Sequence, residues 1–369
     1  MLGGRDIREF QKRLLNWFRA FQRDLPWRRD KDPYCVWLSE IMLQQTRVVA
    51  VIPYYQRFLE RFPDVRALAE APEEDVLRLW SGLGYYSRAR NLRAAAKQIV
   101  AKHGGQFPRD VDDALELPGI GPYTVAAILS IAYGEKLAVL DGNVGRVIAR
   151  LDALRGDLRE GGRWRAMQAR ADELVEPKAP GDFNQAMMEL GATLCTPRAP
   201  QCLLCPVGDF CKARKLGLQN VVPEKRKKRA TEEISLAAAV LLDPQGRTLL
   251  LPPPRDEREH ATHAAILPLI SKMWHFPTIA AEEHPEEELR SFLGKLSPAL
   301  AKDRTMPLEP LSRVRHMVTY RAITLLPFRV LVAKLPQLEE AKSISLPELV
   351  SPSALAVSNL TRKIARAAL

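Results

Sequence analysis

Four cysteines clustered in one short segment constrain the fold of this chain more than any other sequence feature. Cys195, Cys202, Cys205 and Cys211 follow the spacing Cys-x6-Cys-x2-Cys-x5-Cys, whereas Cys35 stands alone. In a reducing compartment, clustered thiols act as metal ligands more often than as disulfides. Four thiolates on one loop hold either a tetrahedral zinc ion or a [4Fe–4S] cluster, and the spacing alone leaves both open.

The composition is typical of a soluble globular chain with more than one domain. Of 369 residues, 46% are hydrophobic and 27% charged, which excludes wholesale disorder and fibrous repeats. No apolar run is long enough to span a membrane, and charges from Arg5 onward leave no signal-peptide core. We therefore expect a monomer in the cytoplasm, associated with the nucleoid if the source is bacterial. The net charge of +11 favours a polyanionic partner.

Hydrophobic periodicity predicts a mainly helical N-terminal part. Apolar residues recur at helical spacing from Ile7 to Phe21. A second helical stretch, from Ser39 to Phe58, is expected to begin with Ser39 as its N-cap and to be interrupted by Pro53. Gly- and Pro-containing breaks separate further predicted helices at 72–79, 88–102, 111–115, 123–132, 144–154 and 183–194.

A basic segment separates this part from a smaller α+β part. Residues 212–229 contain eight basic residues and the single acid Glu224, which predicts an exposed connector. Strands are predicted beyond it at 235–242, 247–251, 318–323 and 326–332, followed by a closing helix at 353–369. The predicted division is a helical region at 1–211, a connector at 212–232 and an α+β domain at 233–369.

The segment Leu-Pro-Gly-Ile-Gly-Pro-Tyr at 117–123 lies between two predicted helices. Gly119 and Gly121 allow another chain to approach the backbone closely, and N–H groups at the next helix start can hold a phosphate. This layout is typical of a helix-hairpin-helix DNA clamp, which contacts the backbone of DNA rather than its sequence. An ordinary interhelical turn is the alternative interpretation.

Two carboxylates are candidates for acid–base chemistry. Glu40 lies among apolar neighbours, which can raise its pKa as a general acid requires. Asp141 follows an apolar run and precedes Gly142 and Asn143, at the N-cap position of the next predicted helix. Capping alone would explain an aspartate there.

Together these motifs resemble one family. The hairpin, the segment Leu-Asp-Gly-Asn-Val at 140–144 and the cysteine loop are similar to those of the endonuclease III superfamily of DNA glycosylases. The segments Ser-Glu-Ile-Met-Leu-Gln-Gln-Thr at 39–46, Gly-Leu-Gly-Tyr-Tyr-Ser-Arg at 82–88 and Phe-Asn-Gln-Ala-Met-Met-Glu-Leu-Gly at 183–191 resemble its MutY-type, adenine-removing branch. The resemblance spans residues 7–215 and implies a six-helix barrel with a [4Fe–4S] cluster.

The resemblance also implies a reaction and a set of site residues. The enzyme would extrude an adenine mispaired with 8-oxoguanine or guanine from double-stranded DNA and hydrolyse its N-glycosidic bond. Glu40 would protonate N7 of adenine, and Asp141, oriented by Asn143, would stabilise the cationic sugar with help from Tyr123. Gln45 and Tyr85 match residues that enter the base stack. Positions lining the adenine pocket are matched by Arg23, Leu25, Trp27, Arg28, Gln185 and Glu189.

Tyr123 also bears on the reaction type. Bifunctional relatives carry a lysine there, whose amine forms a Schiff base with the sugar, and tyrosine cannot form that adduct. We therefore expect a monofunctional glycosylase. The alternatives are a thymine or oxidised-pyrimidine mismatch glycosylase of the same superfamily and a non-enzymatic iron–sulfur DNA-binding protein, which the presence of both Glu40 and Asp141 disfavours.

The C-terminal part resembles the Nudix-like domain of the same family more weakly. Met-Trp-His-Phe-Pro at 273–277 is similar to a turn found there, and the acidic signature of an active Nudix hydrolase is missing. Val-Arg-His at 314–316 replaces the usual Phe-Ser-His, which assigns Arg315 and His316 to the base opposite the adenine. A guanidinium has only donors and cannot accept from N7–H of 8-oxoguanine, so we expect weakened discrimination against guanine, unless another acceptor substitutes.

Overall fold

The computed structural model describes residues 3–160, 162–224, 229–253, 273–281, 283–302, 306–351 and 355–369. The chain forms two compact units. The helical unit comprises Met1–Glu70 and Ala94–Lys227, and the sheet unit comprises Ala71–Arg93 and Lys228–Leu369. The domain limits derived from the sequence stay a prediction, and four basic residues of the predicted connector, 225–228, lie outside the described residues.

Helices dominate the chain as far as residue 215. Short 3-10 turns occur at Pro26–Arg28 and Gly208–Phe210. The helices are α1 Gly4–Phe21, α2 Pro33–Leu43, α3 Val48–Arg61, α4 Val65–Glu70, α5 Glu73–Trp80, α6 Ser87–His103, α7 Val111–Leu115, α8 Pro122–Tyr133, α9 Gly142–Asp152, α10 Arg163–Leu174, α11 Pro180–Thr193 and α12 Lys212–Lys215.

The helical unit is built around α11. This helix packs against α1, α8 and α9, while α2 packs against α8. The helix α1 buries one apolar face that includes Phe10, Leu14 and Phe18, as its periodicity predicts. Phe10 meets Phe183 of α11 with ring centroids 6.3 Å apart. These contacts bring α2, α8, α9 and α11 side by side, and these four helices carry the candidate site.

The helical stretch predicted from Ser39 to Phe58 is wrong in three respects, one of which is that Pro53 lies inside α3 and does not interrupt it. Asp32 rather than Ser39 is the N-cap of α2. Its Oδ1 accepts hydrogen bonds from the backbone N–H groups of Tyr34 and Cys35. Ser39 lies inside α2, where its hydroxyl donates to the carbonyl of Val36. The helix then ends at Leu43 because Gln45 adopts a left-handed conformation, with φ of +57°.

The sheet unit contains one mixed sheet in which β1 is central. Its strands are β1 Glu232–Leu242, β2 Arg247–Leu250, β3 Thr278–Ala280, β4 Glu309–Pro310, β5 Val314–Val318, β6 Arg321–Leu331 and β7 Lys342–Ser345. The order along the sheet is β4-β6-β1-β2-β7, with β3 paired to β1 and β5 paired to β6. The pairing of β1 with β6 is parallel, and the predicted hairpin of β1 and β2 is confirmed as antiparallel.

Helices cover both faces of this sheet, which explains the continuous apolar run of β1. The helices are α13 Pro285–Leu296, α14 Pro298–Lys302, α15 Leu346–Val350 and α16 Asn359–Ala368. Leu236 and Val240 enter a core with α15 and α16, whereas Ala237 and Leu241 enter a second core with α13 and α14. Because successive strand residues point to opposite faces, both sets of side chains are buried.

Three predictions about the C-terminal part need correction. The strand predicted at 318–323 is interrupted near its start, because Thr319 with φ of +57° lies in the turn between Val318, which ends β5, and Arg321, which begins β6. The strand predicted at 326–332 is the continuation of β6 to Leu331 rather than a separate strand. The closing helix begins at Asn359 with Ser358 as its N-cap, and residues 352–354 lie outside the described residues. Within the described part of the chain, no helix is both long and apolar enough to cross a membrane.

Candidate active site

A cavity of about 540 Å³ in the helical unit gathers the predicted catalytic residues. Its lining includes Glu40 from α2, Tyr123 from α8, and Asp141 and Asn143 at the start of α9. The volume is in the range of cavities that bind small organic groups. The cavity is also lined by every residue predicted for the adenine pocket and by one of the two predicted base-stack residues: Arg23, Leu25, Trp27, Arg28, Gln185, Glu189 and Gln45.

Glu40 is buried, and its carboxyl group contacts the hydroxyl of Tyr123. The Tyr123 hydroxyl lies 2.6 Å from Oε2 of Glu40 and 3.2 Å from Sδ of Met188. The pKa of Glu40 is raised to about 7, mainly by burial and also by the nearby Asp141, whereas the Tyr123 hydrogen bond and Arg28 act in the opposite direction. A carboxyl group with this pKa carries a proton about half of the time at pH 7.

Asp141 is both a helix cap and a carboxylate in the cavity. Its Oδ1 accepts the backbone N–H groups of Asn143 and Val144 at 2.9 and 2.7 Å. Its Oδ2 accepts the side-chain amide of Asn143 at 3.2 Å. Burial raises the pKa of Asp141, although these hydrogen bonds and the Arg146 charge favour its ionised form. The capping interpretation is therefore confirmed, and the same contacts orient the carboxylate.

A buried arginine that the sequence analysis did not single out holds Asn143. The Arg146 guanidinium donates to Oδ1 of Asn143 at 2.8 Å and to the carbonyl oxygens of Gly191 and Cys195 at 2.7 and 2.8 Å. The sequence gives little signal for this role, because Arg146 lies on the side of α9 opposite the apolar positions Val144 and Val147. Arg146 therefore links the Asn143 side chain, which bonds to Asp141, to the backbone at Gly191 and at Cys195.

The close approach of α11 to α9 further limits the position of Asn143. A Cβ atom added to Gly191 of α11 would lie 2.8 Å from the Asn143 Cβ atom. In the same helix, Asn184 donates to the carbonyl of Leu137 at 2.7 Å and accepts from the Val139 amide at 3.1 Å. Asn184 thereby anchors the chain that leads into Asp141, a role the sequence analysis did not assign.

Glu189 forms a buried ion-pair cluster with two arginines on another wall of the cavity. Its carboxylate is 1% exposed and lies 2.6 Å from Nε of Arg23 and 2.7 Å from Nη2 of Arg28. Burial alone would raise the pKa of Glu189, but the hydrogen bonds from both arginines outweigh it and lower that pKa. Glu189 is therefore ionised at neutral pH.

The hairpin between α7 and α8 has an exposed, open backbone. Gly119 is exposed and has φ of +77°, which favours glycine. Gly121 is the N-cap of α8, and the space where its side chain would point holds no atom within 4 Å. Backbone N–H groups at this helix start are therefore accessible to an anion.

Comparison with known proteins identifies the family. Residues 38–170 match the HhH-GPD superfamily of base excision DNA repair proteins. The adenine DNA glycosylase of Rattus norvegicus is 36% identical over 359 residues, covering 86% of this chain and 70% of the relative. The chain belongs to the adenine DNA glycosylase family. It is thus a DNA glycosylase of base excision repair, and the predicted helix-hairpin-helix fold is confirmed.

Further relatives support the assignment to the adenine DNA glycosylase family. The human adenine DNA glycosylase is 46% identical over 223 residues, which cover 57% of this chain and 41% of that protein. Among solved structures, a thermostable thymine-DNA glycosylase is 29% identical with a TM-score of 0.53 and covers 57% of this chain and 98% of its own. A trapped endonuclease III–DNA covalent intermediate, at 22% identity and a TM-score of 0.50, shows the shared fold; it covers 59% of this chain and 100% of its own.

The cysteine loop of this adenine DNA glycosylase family member is held by Arg150. Its guanidinium donates to Sγ of Cys195 at 3.3 Å, and the Sγ of Cys211 lies 3.3 Å from the Arg150 carbonyl oxygen. Burial raises the pKa of Cys205 to about 12 and also raises that of Cys211. Within the described ranges, no group of three or more His, Cys, Asp or Glu side chains could hold a metal ion.

The remaining predicted site residues lie in the sheet unit. Arg315 and His316 are on β5, where Arg315 is exposed and His316 is half-buried. Burial and the nearby Lys363 lower the pKa of His316. Tyr85 lies in the loop between α5 and α6, is 43% exposed and has φ of +50°.

Proposed function

We propose that this chain hydrolyses the N-glycosidic bond of adenine mispaired with 8-oxoguanine or guanine in double-stranded DNA, acting as a monomer. The observation that carries the proposal is the pairing of Glu40 and Asp141 within one cavity of suitable size. Their surroundings differ, because Glu40 is buried with few donors, whereas Asp141 accepts three hydrogen bonds. A protonated acid beside an ionised carboxylate is the arrangement that glycosidic bond cleavage requires.

Glu40 acts as the general acid. The target adenine must leave the base stack before its bond to the sugar is accessible, and the cavity would receive it. With a pKa of about 7, Glu40 donates its proton to N7 of the base. Adenine then departs as a neutral leaving group, taking the bonding electron pair.

Asp141 stabilises the sugar as the base departs. The sugar develops oxocarbenium character, and a nearby carboxylate lowers the energy of that positive charge. Asn143 and the start of α9 hold the carboxylate in place before the reaction begins, so little reorganisation is required. A water molecule then adds to the sugar and gives up a proton, which the Glu40 carboxylate left by the first step takes back, and an abasic site remains.

The hydroxyl of Tyr123 supports a monofunctional reaction. It lies beside Glu40 and offers no amine that could attack the sugar and form a Schiff base. Borohydride trapping on a duplex with adenine opposite 8-oxoguanine tests this directly. We expect base release without a covalent protein–DNA band, and a strong band formed at the rate of base release would contradict the monofunctional assignment.

The side chains of the cavity wall offer hydrogen-bond donors and acceptors that can select a purine base. Glu189 holds Arg23 and Arg28 in fixed positions, and Gln185 adds an amide on the neighbouring turn of α11. Leu25 and Trp27 are buried, which supplies apolar surface for a flat base. The hairpin glycines Gly119 and Gly121 would meanwhile contact the phosphate backbone.

The four clustered cysteines fit a [4Fe–4S] cluster. Cysteine thiolates are the usual ligands of such clusters, and the contacts of Cys195 and Cys211 with Arg150 hold the loop that carries all four sulfurs. Cys195, Cys202, Cys205 and Cys211 would hold it, and the bound cluster would stiffen their loop.

Arg315 sets the preference for the opposite base in this proposal. It is exposed on β5 and can only donate hydrogen bonds, whereas the N7–H of 8-oxoguanine needs an acceptor. Single-turnover rates on adenine:8-oxoguanine and adenine:guanine duplexes test the point. We expect Arg315→Ser to increase the ratio of the two rates, and an unchanged ratio would show that Arg315 does not read the base.

A base-release panel tests the function as a whole. Duplexes with adenine opposite 8-oxoguanine or guanine, thymine opposite guanine and an oxidised pyrimidine are incubated with the protein and then cleaved with alkali. We expect release of adenine alone. Glu40→Gln and Asp141→Asn should each lower the rate by about 100-fold or more, whereas Glu60→Gln, at an exposed position of α3, should not.

The other outcomes of this panel identify the alternatives. Release of thymine or of the oxidised pyrimidine, with adenine untouched, would assign the chain to a different glycosylase activity. Tight binding without release of any base would make it a non-enzymatic DNA-binding protein. In that case Glu40→Gln would leave its DNA affinity unchanged.

A further inference from the structure

The loop at 81–86 presents an aromatic ring from a strained backbone. Tyr85 has φ of +50°, and the glycines on its N-terminal side, Gly82 and Gly84, have φ of +105° and +78°. Left-handed conformations are unfavourable for residues with a side chain and persist only where the surroundings impose them. The Tyr85 ring nevertheless remains 43% exposed, so its own burial does not impose this shape.

Contacts within the loop explain part of its shape. Trp80 Nε1 and Arg88 Nη2 both donate to the carbonyl of Gly84, at 3.1 and 3.2 Å. The Arg88 guanidinium lies 5.4 Å from the centre of the Trp80 ring and 5.5 Å from that of Tyr85. These contacts fix the C-terminal half of the loop from α5 and α6.

Further contacts come from the chain segment just before and at the start of α16. The carbonyl oxygen of Val357 accepts the Ser81 hydroxyl at 2.9 Å and the Tyr86 hydroxyl at 3.2 Å. The Asn359 side-chain amide donates to the carbonyl of Gly82 at 3.3 Å. Ser81, Tyr86 and Val357 are all at least 96% buried, which makes these hydrogen bonds difficult to replace with water.

We propose that Val357 and Asn359 are positioning residues that hold the loop at 81–86 in the shape that presents Tyr85 to a DNA base. An exposed aromatic ring beside a guanidinium is a surface on which bases stack. The C-terminal part of the chain therefore has a role besides facing the base opposite the adenine. It completes a DNA-binding loop that lies between two helices of the N-terminal part of the sequence.

The proposal rests on the proposed function, and its test separates the two. The Ser81→Ala/Tyr86→Phe double variant removes both donors to Val357 and retains Tyr85, although it also removes the hydroxyl that accepts the Gly82 N–H at 3.3 Å. Asn359→Ala removes the third hydrogen bond from the other side, at a less buried position, so that it remains informative if the double variant folds poorly. Tyr34→Phe is the matched control, because its buried hydroxyl likewise donates to a backbone carbonyl, that of Phe62 at 2.8 Å.

Affinity for an adenine:8-oxoguanine duplex is measured for these proteins and for the same changes combined with Tyr85→Ala. We expect the double variant and Asn359→Ala each to bind several-fold to about tenfold more weakly, the range of one lost stacking contact. Tyr34→Phe should bind like the wild type. In the Tyr85→Ala background the same changes should lower the affinity for the duplex by less than twofold, because the loop no longer carries the Tyr85 ring.

Two results would overturn the proposal. One is wild-type affinity in both the double variant and Asn359→Ala. The other is a loss of the same size with and without Tyr85, which would assign these hydrogen bonds to general stability. Neither result tests the proposed reaction. The proposed function would be contradicted only if the wild-type protein released no adenine from the duplex.

Discussion

The Tyr123 hydroxyl donates a 2.6 Å hydrogen bond to Oε2 of Glu40, joining α8 to α2 inside the cavity. This bond favours the ionised carboxylate, whereas burial favours the protonated form. Burial has the larger effect, and the pKa of Glu40 rises to about 7. The reactivity of Glu40 as an acid therefore depends on two opposing influences that separate substitutions can test.

The first prediction is a bell-shaped dependence of the excision rate on pH. Above pH 7 the rate should fall about tenfold per pH unit, because Glu40 loses its proton. At the acid end it should fall because Asp141 becomes protonated, and burial moves that limb to a higher pH than for an ordinary aspartate. Single-turnover base release between pH 4.5 and 9.5 measures both limbs. Because Glu40 and Asp141 interact, the two apparent pKa values describe the pair rather than either residue alone. A constant rate from pH 7 to 9 would exclude Glu40 as the acid.

The second prediction concerns Tyr123→Phe. Removing the hydroxyl removes a hydrogen bond that favours ionised Glu40, so the pKa of Glu40 should rise. The alkaline limb of the rate profile should then move to higher pH, even though the maximum rate falls. Tyr133→Phe, at the end of the same helix and bonded to the Phe107 carbonyl, should leave the profile in place. A shift to lower pH in Tyr123→Phe would contradict the assignment.

The third prediction is that Glu40→Gln stabilises the protein in alkali. Folding raises the pKa of Glu40 from 4.5 to about 7, so the folded state is penalised once the carboxyl ionises. The penalty is absent below pH 4.5, grows between pH 4.5 and 7, and reaches about 3 kcal/mol above pH 7. Urea unfolding at pH 8 should therefore favour Glu40→Gln, and the advantage should vanish at pH 4. Glu60→Gln should show no such pH dependence.

The fourth prediction compares two ion pairs. Glu189→Gln should lower the free energy of unfolding by about 3 kcal/mol, because it leaves two guanidinium groups beside an uncharged, buried amide. Asp24→Asn removes a carboxylate of the exposed pair with Arg29, where the partners are 75% and 66% exposed, and should have no measurable effect. Equal losses in the two variants, measured by urea unfolding, would show that burial does not strengthen the Glu189 cluster.

The fifth prediction tests the close contact between α9 and α11. Gly191→Ala would place a methyl group 2.8 Å from the Asn143 Cβ atom, so Asn143, whose side chain bonds to Asp141, must shift. We expect at least a tenfold loss in the rate of base release, as a small misplacement of a catalytic group commonly produces. Gly145→Ala meets its nearest neighbour at 3.5 Å and should retain the rate. Equal rates of base release in the two variants would show that the position of Asn143 does not affect the reaction.

Much of the secondary structure follows from local signals. The pattern at 111–115 coincides with α7, and Asp141 caps α9 as its position predicts, because a cap bonds only to the next residues. Periodicity did not predict the break between α2 and α3, because glutamine at position 45 gives no local signal for a left-handed backbone conformation. The turn at Thr319 was missed for the same reason.

The candidate site was predicted through resemblance, and the contacts that hold it were not. Arg146 and Asn184 bond to atoms that are distant in sequence, such as the carbonyl oxygens of Cys195 and Leu137. Periodicity places Arg146 on the side of α9 opposite its apolar residues, so the sequence gives no sign that this arginine is buried. Only the packing of α11 against α9 reveals which partner it has.

The amino-acid sequence by itself determined most helices of the N-terminal part, the capped start of α9 and the set of acidic, aromatic and thiol groups available for chemistry. These properties depend on neighbours within about four residues, or on side-chain chemistry alone. Tertiary structure decided the acidity of Glu40 and the ionisation of Glu189, whose partners lie 83 residues away at Tyr123 and 166 away at Arg23. The cause is burial, because a pKa responds to the solvent and charges that folding brings around a group.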